Sequence, residues 1–413
     1  MTENQDENIK ILKEGTTQFY LYSDDINNIP SKSMNVFYNK KMEINRDVTS
    51  LAINAYNNLY NLEELTIVDT MAGSGVGSIR ILKECSNIKI IYINDLNPSA
   101  VKIIHKNLEI NGLLNLKNKI IVSRYDANFL LSSLIQQFLT SKPSKRKKPN
   151  VISVDPFGTP NIYVDSVFKA IQKREGLVCI TATDTAVLFG VRKKACERKY
   201  MSKPLHNNFC KEIGARILLY FISRIASINN VGIKPLFTFY HQHFIRIIAL
   251  TFKNKNDINK QIENYGYIFF CKKCGHRIGN NCLNVKILQD CTNCGATNSL
   301  DYAGPLWLDE LHQQAFLDEI LRLTVKSNYK NKKKLEKILM FCKDEMDMPI
   351  SYYNIHKLCH QIKCASIPKM ETLIKTIKND GYSASRTHFD FTSLKTDLDI
   401  DGLKQILLNL TQG

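Results

Sequence analysis

The order of apolar and polar positions predicts strands that alternate with helices over the first 250 residues. Apolar positions recur with a helical period over 47–60, and 213–228 forms a longer apolar helix pattern. Short apolar runs typical of strands lie at 65–69, 88–93, 120–122, 151–155, 177–183, 237–243 and 244–252. Alternation of this kind predicts an α/β fold with a mostly parallel, doubly wound sheet, which binds ligands at the carboxyl ends of its strands.

The rest of the chain divides at a Lys- and Asn-rich stretch, 253–260. We predict an N-terminal domain over 1–255, in which the opening segment 1–45 is polar, and a second domain over 256–413. A basic run, Lys142–Lys148, precedes one predicted strand. Its first interpretation is a solvated loop and its alternative a phosphate contact, and the sequence does not decide between them.

Composition narrows the class of protein. Hydrophobic residues make up 44% of the 413 positions and charged residues 23%, as in folded soluble proteins. The net charge of +17 favours a polyanionic partner, because Lys and Arg release counterions when they bind phosphates. No apolar run has the roughly 20 residues that span a bilayer, and the N-terminus has no secretory pattern. We therefore expect an intracellular, cytoplasmic protein with reduced cysteines and no membrane association, and a nuclear location is not excluded.

A glycine-rich turn joins the strand at 65–69 to a helix, and the acids Asp95 and Asp126 end the next two strands. Asp69, Gly73 and Gly75 of this turn are candidates to hold a cofactor, since glycines let a ligand approach backbone N–H groups. Asp95 can accept both hydroxyls of a ribose and Asp126 an adenine amine. The spacing differs from that of dinucleotide and P-loop motifs, so S-adenosylmethionine fits best. The alternative is that both acids only cap helices.

A second motif, Asp155-Pro156-Phe157-Gly158, follows directly on an apolar strand. It matches the loop of enzymes that methylate exocyclic amines. An aryl amine is a weak nucleophile, and hydrogen bonds to the Asp155 carboxylate and a carbonyl of the turn would localise its lone pair and stabilise the transition state. Pro156 fixes the turn, and Phe157 or a nearby aromatic ring can stack on the base. The alternative is an ordinary turn, since Asp-Pro is common there.

Two Cys-x-x-Cys pairs predict a structural zinc site in the second domain. The pairs are separated by 16 residues, and each is followed by a glycine. The four thiolates would complete a tetrahedral shell without an open position, so the ion would not be catalytic. Cys282 and His276 between the pairs are expected to be bystanders. The predicted ligands are Cys271, Cys274, Cys291 and Cys294.

Several stretches together resemble one known family, the tRNA (guanine-26-N2)-dimethyltransferases, over nearly the whole chain. The block near the C-terminus has no part in the cofactor argument and therefore supports the resemblance independently. The matching stretches are Val36–Asp47, Val68–Gly75, Val154–Pro160, Thr181–Thr185, Gly214–Leu219, Gly304–Trp307 and Gly381–Phe389.

The resemblance implies a Rossmann-like methyltransferase domain followed by a smaller, zinc-bearing α+β domain that binds tRNA. It implies transfer of one or two methyl groups from S-adenosylmethionine to the N2 amine of guanine 26. Phe37, in the opening segment, would stack on the guanine beside the Asp155 loop. Gly77 departs from the family, which often has Arg there. The cofactor contacts implied by position are Arg46, Arg80, Asp95, Asp126 and Ala127.

Two alternatives stay open at this stage. A DNA adenine-N6 methyltransferase uses a related loop, although the cysteine pairs and the block near the C-terminus speak against it. A non-enzymatic RNA-binding protein with a methyltransferase-like fold is the other, although the intact Asp155, Asp95 and Asp126 speak against it. We expect no obligate protein partner. The sequence does not indicate the number of methyl groups, a neighbouring target guanine or the oligomeric state.

Overall fold

The fold is described on a computed structural model that covers residues 9–27, 31, 34–116, 118–142, 147–281 and 288–412. Cys282 and residues 143–146 of the basic run lie outside the described residues. The chain forms two compact units, each assembled from separate stretches. The first comprises Met1–Ala182, Arg246–Lys253 and Asp318–Glu336, and the second Thr183–Ile245, Asn254–Leu317 and Lys337–Gly413. Within the described ranges, every helix is too short or too polar to cross a bilayer.

Up to residue 182, strands and helices alternate after an initial hairpin. The strands are β1 (Ile9–Glu14), β2 (Thr17–Tyr22), β3 (Leu65–Asp69), β4 (Ile88–Asn94), β5 (Ile120–Ser123), β6 (Val151–Val154) and β7 (Leu177–Ala182). The helices are α1 (Ser23–Asn27), α2 (Glu43–Tyr60), α3 (Val76–Glu84), α4 (Pro98–Ile110), α5 (Ala127–Thr140) and α6 (Val164–Ala170).

The remainder of the chain is richer in helices. Its helices are α7 (Thr185–Leu188), α8 (Lys193–Tyr200), α9 (Cys210–Ile228), α10 (Lys255–Gln261), α11 (Gln314–Lys326), α12 (Lys332–Asp344), α13 (Ile355–Gln361), α14 (Met370–Asn379) and α15 (Ile400–Gln412). Its strands are β8 (Gly232–His241), β9 (Phe244–Phe252), β10 (Tyr265–Cys271), β11 (Arg277–Asn281), β12 (Leu300–Trp307), β13 (Tyr353–Asn354), β14 (Ala384–Arg386) and β15 (Ser393–Thr396).

The largest sheet confirms the predicted Rossmann-like α/β class. Its strand order is β5-β4-β3-β6-β7-β9-β8, and the pairs from β5 to β7 are all parallel. The register places Asp69 opposite Ile93 of β4 and Ser153 of β6. The carboxyl ends of these three strands therefore meet at one edge of the sheet, where a parallel sheet binds its ligands.

The opening segment is more ordered than its polar composition predicts. β1 and β2 pair as an antiparallel hairpin, from Ile9 opposite Tyr22 to Glu14 opposite Thr17. In β2 the residues Thr17, Phe19 and Leu21 are fully buried and alternate with more exposed neighbours. This period-2 pattern is typical of a half-buried strand, and it is short enough to be missed among the surrounding polar residues.

The second unit contains two small antiparallel sheets, one with the order β11-β10-β12 and the other β13-β15-β14. A separate apolar core joins the second of these sheets to the last helices, with Ile355, Leu373, Leu394 and Leu403 fully buried. The mixture of helices and short antiparallel strands confirms the predicted α+β character of the C-terminal region.

Candidate functional site

A solvent-open cleft in the first unit lies at the carboxyl ends of β3 and β6. The glycine turn after β3 and Asp155 after β6 line the same space, as predicted. The cleft contains about 680 Å³ of empty space. Its lining residues are Phe37, Tyr38, Asn39, Met42, Asn45, Arg46, Thr49, Asp69, Met71, Ala72, Gly73, Ser74, Val76, Gly77, Ile81, Ser153, Asp155 and Arg246.

Gly73 is at the tightest point of the glycine turn. Its φ is +56°, and a Cβ there would lie 2.6 Å from the carbonyl oxygen of Phe37, so the turn has no room for a side chain. The Gly73 N–H donates to the Asp95 carboxylate at 2.7 Å, and the Asn97 N–H donates to its other oxygen at 2.9 Å. Burial raises the pKa of Asp95, and these two hydrogen bonds act to lower it. Asp95 is therefore held beside the glycine turn.

Asp155 follows β6 and is held by hydrogen bonds on the floor of the cleft. Asn45 of α2 donates its Nδ2–H to Asp155 Oδ2 at 2.8 Å. Burial raises the pKa of Asp155, while the positive charges of Arg246 and Arg46 and hydrogen bonds from Thr181 and Asn45 act to lower it. The Asp155 carboxylate is therefore oriented by a neutral donor and faces two cations at the carboxyl end of β6.

Arg246 of β9 belongs to the lining of the cleft and is only 1% exposed. Its guanidinium donates to the hydroxyls of Thr181 at 2.5 Å, Thr49 at 2.9 Å and Ser153 at 3.3 Å. Asp155, whose pKa the positive charge of Arg246 acts to lower, lies two residues after Ser153 in the chain. No local motif in the sequence indicates a role for Arg246, Asn45 or Thr181. A single cation within the apolar strand Phe244–Phe252 was the signal available for Arg246.

Asp69 lies at the base of the glycine turn with its carboxylate turned toward α3. Ser78 donates to it at 2.5 Å. The pKa of Asp69 is raised to about 6, chiefly by burial and also by the negative charges of Asp155 and Asp95, while hydrogen bonds from Ser78 and the Met71 N–H act to lower it. The three acids therefore share one electrostatic environment, in which like charges oppose one another.

Arg46 of α2 lines the cleft but already has a carboxylate partner. It makes a bidentate pair with Glu14, in which its Nε and Nη2 each lie 2.6 Å from a carboxylate oxygen. Its guanidinium also stacks over the Tyr38 ring, 5.1 Å from the centroid. Since these bonds use Nε and Nη2, Nη1 is the nitrogen that remains for a ligand. Sequence reasoning missed Glu14, which gave no motif signal.

Arg80 of α3 lies in a buried ion cluster and is not among the lining residues of the cleft. It is 0% exposed and contacts three carboxylates, those of Asp47 at 2.7 Å, Glu14 at 3.0 Å and Glu84 at 3.0 Å. Tyr329 donates its hydroxyl to Glu84 at 2.7 Å and covers the guanidinium. The predicted cofactor contact of Arg80 stays a prediction, and the structure gives this residue a role in packing.

Two aromatic rings lie beside the Asp155 loop. Phe37 lines the cleft, and its ring meets Phe157 edge to face, with centroids 5.9 Å apart. The two side chains are 39% and 52% exposed, an unusual placement for large apolar rings. Pro156 between Asp155 and Phe157 is buried. Two accessible aromatic rings, Phe157 of the loop and Phe37 of the opening segment, thus lie beside the Asp155 loop.

Asp126 and Ala127 lie at the carboxyl end of β5, outside the lining of the cleft. Asp126 caps α5 by accepting the N–H groups of Asn128 at 2.9 Å and Phe129 at 3.3 Å, and it is exposed. The hydrogen bonds of Asp126 are therefore those of a helix cap, and its contact with adenine stays a prediction.

Gly75 of the glycine turn is the N-cap of α3. Its φ is +77°, and a Cβ at this position would lie 2.9 Å from the Ile104 side chain.

Comparisons with known proteins bear on what this site does. A family model described as "TRM: N2,N2-dimethylguanosine tRNA methyltransferase" matches residues 15–408. The chain belongs to this family. It is 35% identical over 402 residues to the tRNA (guanine(26)-N(2))-dimethyltransferase of Methanosphaera stadtmanae, with 97% of each chain covered. It is 34% identical over 410 residues to the Methanosarcina acetivorans enzyme of the same name, with 97% of this chain and 99% of that one covered.

A solved structure of the family shares the fold. Trm1 from Pyrococcus horikoshii, in a complex with S-adenosyl-L-methionine, superposes with a TM-score of 0.80 at 25% identity and covers 96% of this chain and 99% of that one. The chain is accordingly an S-adenosylmethionine-dependent tRNA (guanine-N2) methyltransferase. The resemblance inferred from the sequence is confirmed.

The second unit of this methyltransferase contains the four-cysteine cluster. The Sγ atoms of Cys271 and Cys294 lie 3.9 Å apart and those of Cys274 and Cys291 3.6 Å apart, and all four fall within 4.8 Å of one another. A zinc tetrahedron with Zn–S bonds of about 2.3 Å has edges of about 3.8 Å. The His276 N–H points at Cys274 Sγ at 3.4 Å. The spacing of the four sulfur atoms fits a tetrahedral zinc site with no open coordination position.

A second buried group in this unit combines His312, Cys342, Glu345 and His388. The Thr238 N–H donates to His312 Nδ1 at 3.5 Å, and His312 Nε2 lies 3.7 Å from Glu345 Oε1. Among the described residues, the Nε2 atoms of His312 and His388 have no hydrogen-bond partner. His388 Nδ1 contacts the same oxygen, and Oε2 accepts from Thr387 at 2.6 Å. We interpret this group as a polar network of the core.

Proposed function

We propose that this methyltransferase transfers one or two methyl groups from S-adenosylmethionine to the N2 amine of guanine at tRNA position 26. The observation that carries this proposal is the position of Asp155, which shares a cleft with the glycine turn and is fixed by Asn45 at 2.8 Å. The printed names of the relatives from Methanosphaera stadtmanae and Methanosarcina acetivorans support the substrate and the position.

The chemistry follows from the weakness of an aryl amine as a nucleophile. Asp155 accepts one amine N–H, and a backbone carbonyl of the Pro156-Phe157 turn accepts the other, so that the nitrogen lone pair turns toward the methyl group. The cofactor supplies an electrophilic methyl group on a sulfonium. As the N–C bond forms, the C–S bond breaks with its electron pair on sulfur, and the amine nitrogen then releases one proton to restore neutrality.

The residues of the cleft fit the proposed cofactor. The absence of a side chain at Gly73 opens the turn, and Asp95, which accepts the Gly73 N–H at 2.7 Å, would also accept ribose hydroxyls. Arg46 would pair its Nη1 with the carboxylate of the methionine portion, while Glu14 holds the rest of the guanidinium. Asp69 and Gly75 would shape the turn. The adenine contact of Asp126 is proposed from its position after a strand and from the resemblance, and the contacts of Arg80 and Ala127 from the resemblance alone.

The base would stack on the exposed aromatic rings of Phe37 and Phe157. Stacking on one aromatic ring contributes about 1–3 kcal/mol to binding of an unpaired base. A guanine inside a helix would have to leave its stack to reach Asp155. The edge-to-face contact of the two rings supports a pocket in which residues of the opening segment and of the loop meet.

We further propose that the cysteine cluster binds one structural Zn²⁺. Its thiolate geometry supports this ion, and the closed tetrahedral shell leaves no position for a substrate. The N-terminal domain over 1–255 would carry out the chemistry, and the domain over 256–413 would bind tRNA, to which the net charge of +17 is suited. A cytoplasmic location agrees with cysteines that stay reduced for metal binding.

The test is methyl transfer from labelled S-adenosylmethionine to a tRNA transcript and to the same transcript with adenine at position 26. We expect label on the first only, and nucleoside analysis then counts the methyl groups. Equal label on both transcripts would refute the position. Asp155→Ala should bind the cofactor normally but lose roughly 2–4 kcal/mol of transition-state stabilisation. Asp165→Ala, which changes a 48% exposed side chain on α6, is the matched control.

A further inference from the structure

We infer that Arg246 and Thr181 are positioning residues that aim the Asp155 carboxylate at the amine and keep it negatively charged through the methyl transfer. This inference rests on the proposed role of Asp155. It concerns Arg246 on β9, a buried residue of the cleft lining, and Thr181 on β7, which is outside that lining; neither needs to touch tRNA. Their effect on the reaction would pass entirely through Asp155.

The first observation is that Arg246 is buried among hydroxyls. Its hydrogen bonds within the described residues go to Thr181, Thr49 and Ser153, and its Nε–H has no partner there. Arg80, the other fully buried arginine of this unit, is surrounded by carboxylates instead. A buried cation needs a negative charge nearby, because hydroxyl dipoles only partly replace its hydration.

The second observation is the direction of the hydrogen bonds around Arg246. The Thr181 hydroxyl oxygen accepts from Arg246, so its hydrogen is directed away from the guanidinium. Val154 is opposite Ile180 in the parallel register, so Thr181 and Asp155 follow side by side, and hydrogen bonding from Thr181 acts to lower the pKa of Asp155. The Thr49 hydroxyl likewise accepts from Arg246 and donates to the Asn45 carbonyl at 2.7 Å. The Arg246 guanidinium therefore polarises the Thr181 hydroxyl toward the Asp155 carboxylate. It likewise polarises the Thr49 hydroxyl toward Asn45, the residue that donates to Asp155.

The third observation is the set of charges that face Asp155. Arg246 from β9 and Arg46 from α2 act to lower its pKa, and Asp69 from β3 opposes it with a like charge. The neutral donors are Asn45 from α2 and Thr181 from β7. Burial favours protonation of Asp155, and a protonated Asp155 could no longer accept hydrogen bonds from both its protein donors and the amine. Arg246 is the cation that offsets burial from below the carboxylate.

The decisive experiment compares Thr181→Val with Thr181→Ser, because valine keeps the shape of threonine and removes the hydroxyl, while serine keeps it. For Thr181→Val we expect kcat to fall roughly 10- to 100-fold, the loss for one hydrogen bond to a charged group. The acid limb of the kcat–pH profile should move to higher pH, and the KM for S-adenosylmethionine should stay within about twofold. Thr181→Ser should restore the acid limb.

Thr251→Val is the matched control for the loss of a buried hydroxyl. Thr251 lies on β9, is 0% exposed and bonds to Gln172 and Gly176 at a distance from the cleft lining. An acid limb for Thr181→Val that coincides with that of the wild type, or a fall in kcat that Thr251→Val reproduces, would overturn the inference.

Asp155→Asn, measured in the same assay, separates this inference from the proposed function. If Asp155→Asn is inactive and Thr181→Val keeps the wild-type kcat–pH profile, only the positioning roles of Arg246 and Thr181 are wrong. If Asp155→Asn has the wild-type rate, the assignment of Asp155 itself is wrong, and the positioning roles of Arg246 and Thr181 are wrong with it.

Arg246→Lys provides a further check, since a lysine retains the charge but reaches fewer hydroxyls. The acid limb of its kcat–pH profile should lie between those of the wild type and Thr181→Val.

Discussion

Replacement of Arg80 by methionine should strongly destabilise the first unit. The guanidinium is fully buried and contacts Glu14, Asp47 and Glu84, and Arg46 is the second cation of this cluster. The methionine side chain fills much of the same volume, but it leaves buried carboxylates without their shared cation. Breaking one buried ion pair in this way costs about 3–5 kcal/mol.

The loss should be visible by calorimetry as a fall in the unfolding temperature. For a unit of this size, 1 kcal/mol corresponds to roughly 2–4 °C, so we expect a decrease of roughly 6–20 °C at pH 7.5. Arg322→Met is the matched control, since its pair with Glu319 is half exposed and such pairs contribute about 0–1 kcal/mol.

The pH dependence of this loss has a definite sign. Arg80 contributes to the lowered pKa values of Glu14 and Glu84, so its stabilising effect is present above pH 4.5, the ordinary pKa of Glu, and is lost as the pH falls below it. The difference between Arg80→Met and wild type should therefore shrink as the pH approaches 4. An unfolding temperature within 2 °C of wild type at pH 7.5, or a difference that grows at low pH, would refute this reasoning.

Other changes test the metal cluster and the glycine turn. Cys271→Ser should lower the zinc content from one ion per chain to less than half, measured by plasma mass spectrometry, while the buried Cys359→Ser should keep it; full zinc in the first variant would contradict the four-ligand site. Gly73→Ala should weaken S-adenosylmethionine binding at least about tenfold in calorimetric titration, because a Cβ would meet the Phe37 carbonyl at 2.6 Å. Gly112→Ala has a similar φ of +68° but open space, so equal affinity losses in the two variants would argue against the close approach.

Local patterns in the sequence predicted much of the sheet. The strand at Leu65–Asp69 has the predicted bounds, and the helix predicted from residue 47 begins four residues earlier, at Glu43. Runs of β-branched residues define such strands, and apolar spacing defines the helix face, so both are encoded within a few neighbouring residues. Asp155 and the glycine turn were likewise placed correctly at one edge of the sheet, since parallel topology brings strand ends together.

Residues whose roles depend on distant partners could not be found in this way. Glu14 matters because it pairs with Arg46 and Arg80, which lie 32 and 66 positions further along the chain. Thr181 matters because Arg246 donates to it across 65 positions. No local pattern distinguishes such a threonine or glutamate from its exposed equivalents. Their roles become visible only when the strands and helices that carry them are packed.

The discontinuous make-up of the first unit has a consequence for synthesis on the ribosome. Tyr329 bonds to Glu84 at 2.7 Å and Asn331 to Asp47 at 3.1 Å, so the ion cluster around Arg80 is completed by residues made some 245 to 284 positions later. A nascent chain that has reached residue 255 cannot yet cover this cluster, although its parallel strands have all emerged. The first unit should therefore stay incompletely closed, and exposed to chaperones and proteases, until translation has passed residue 336.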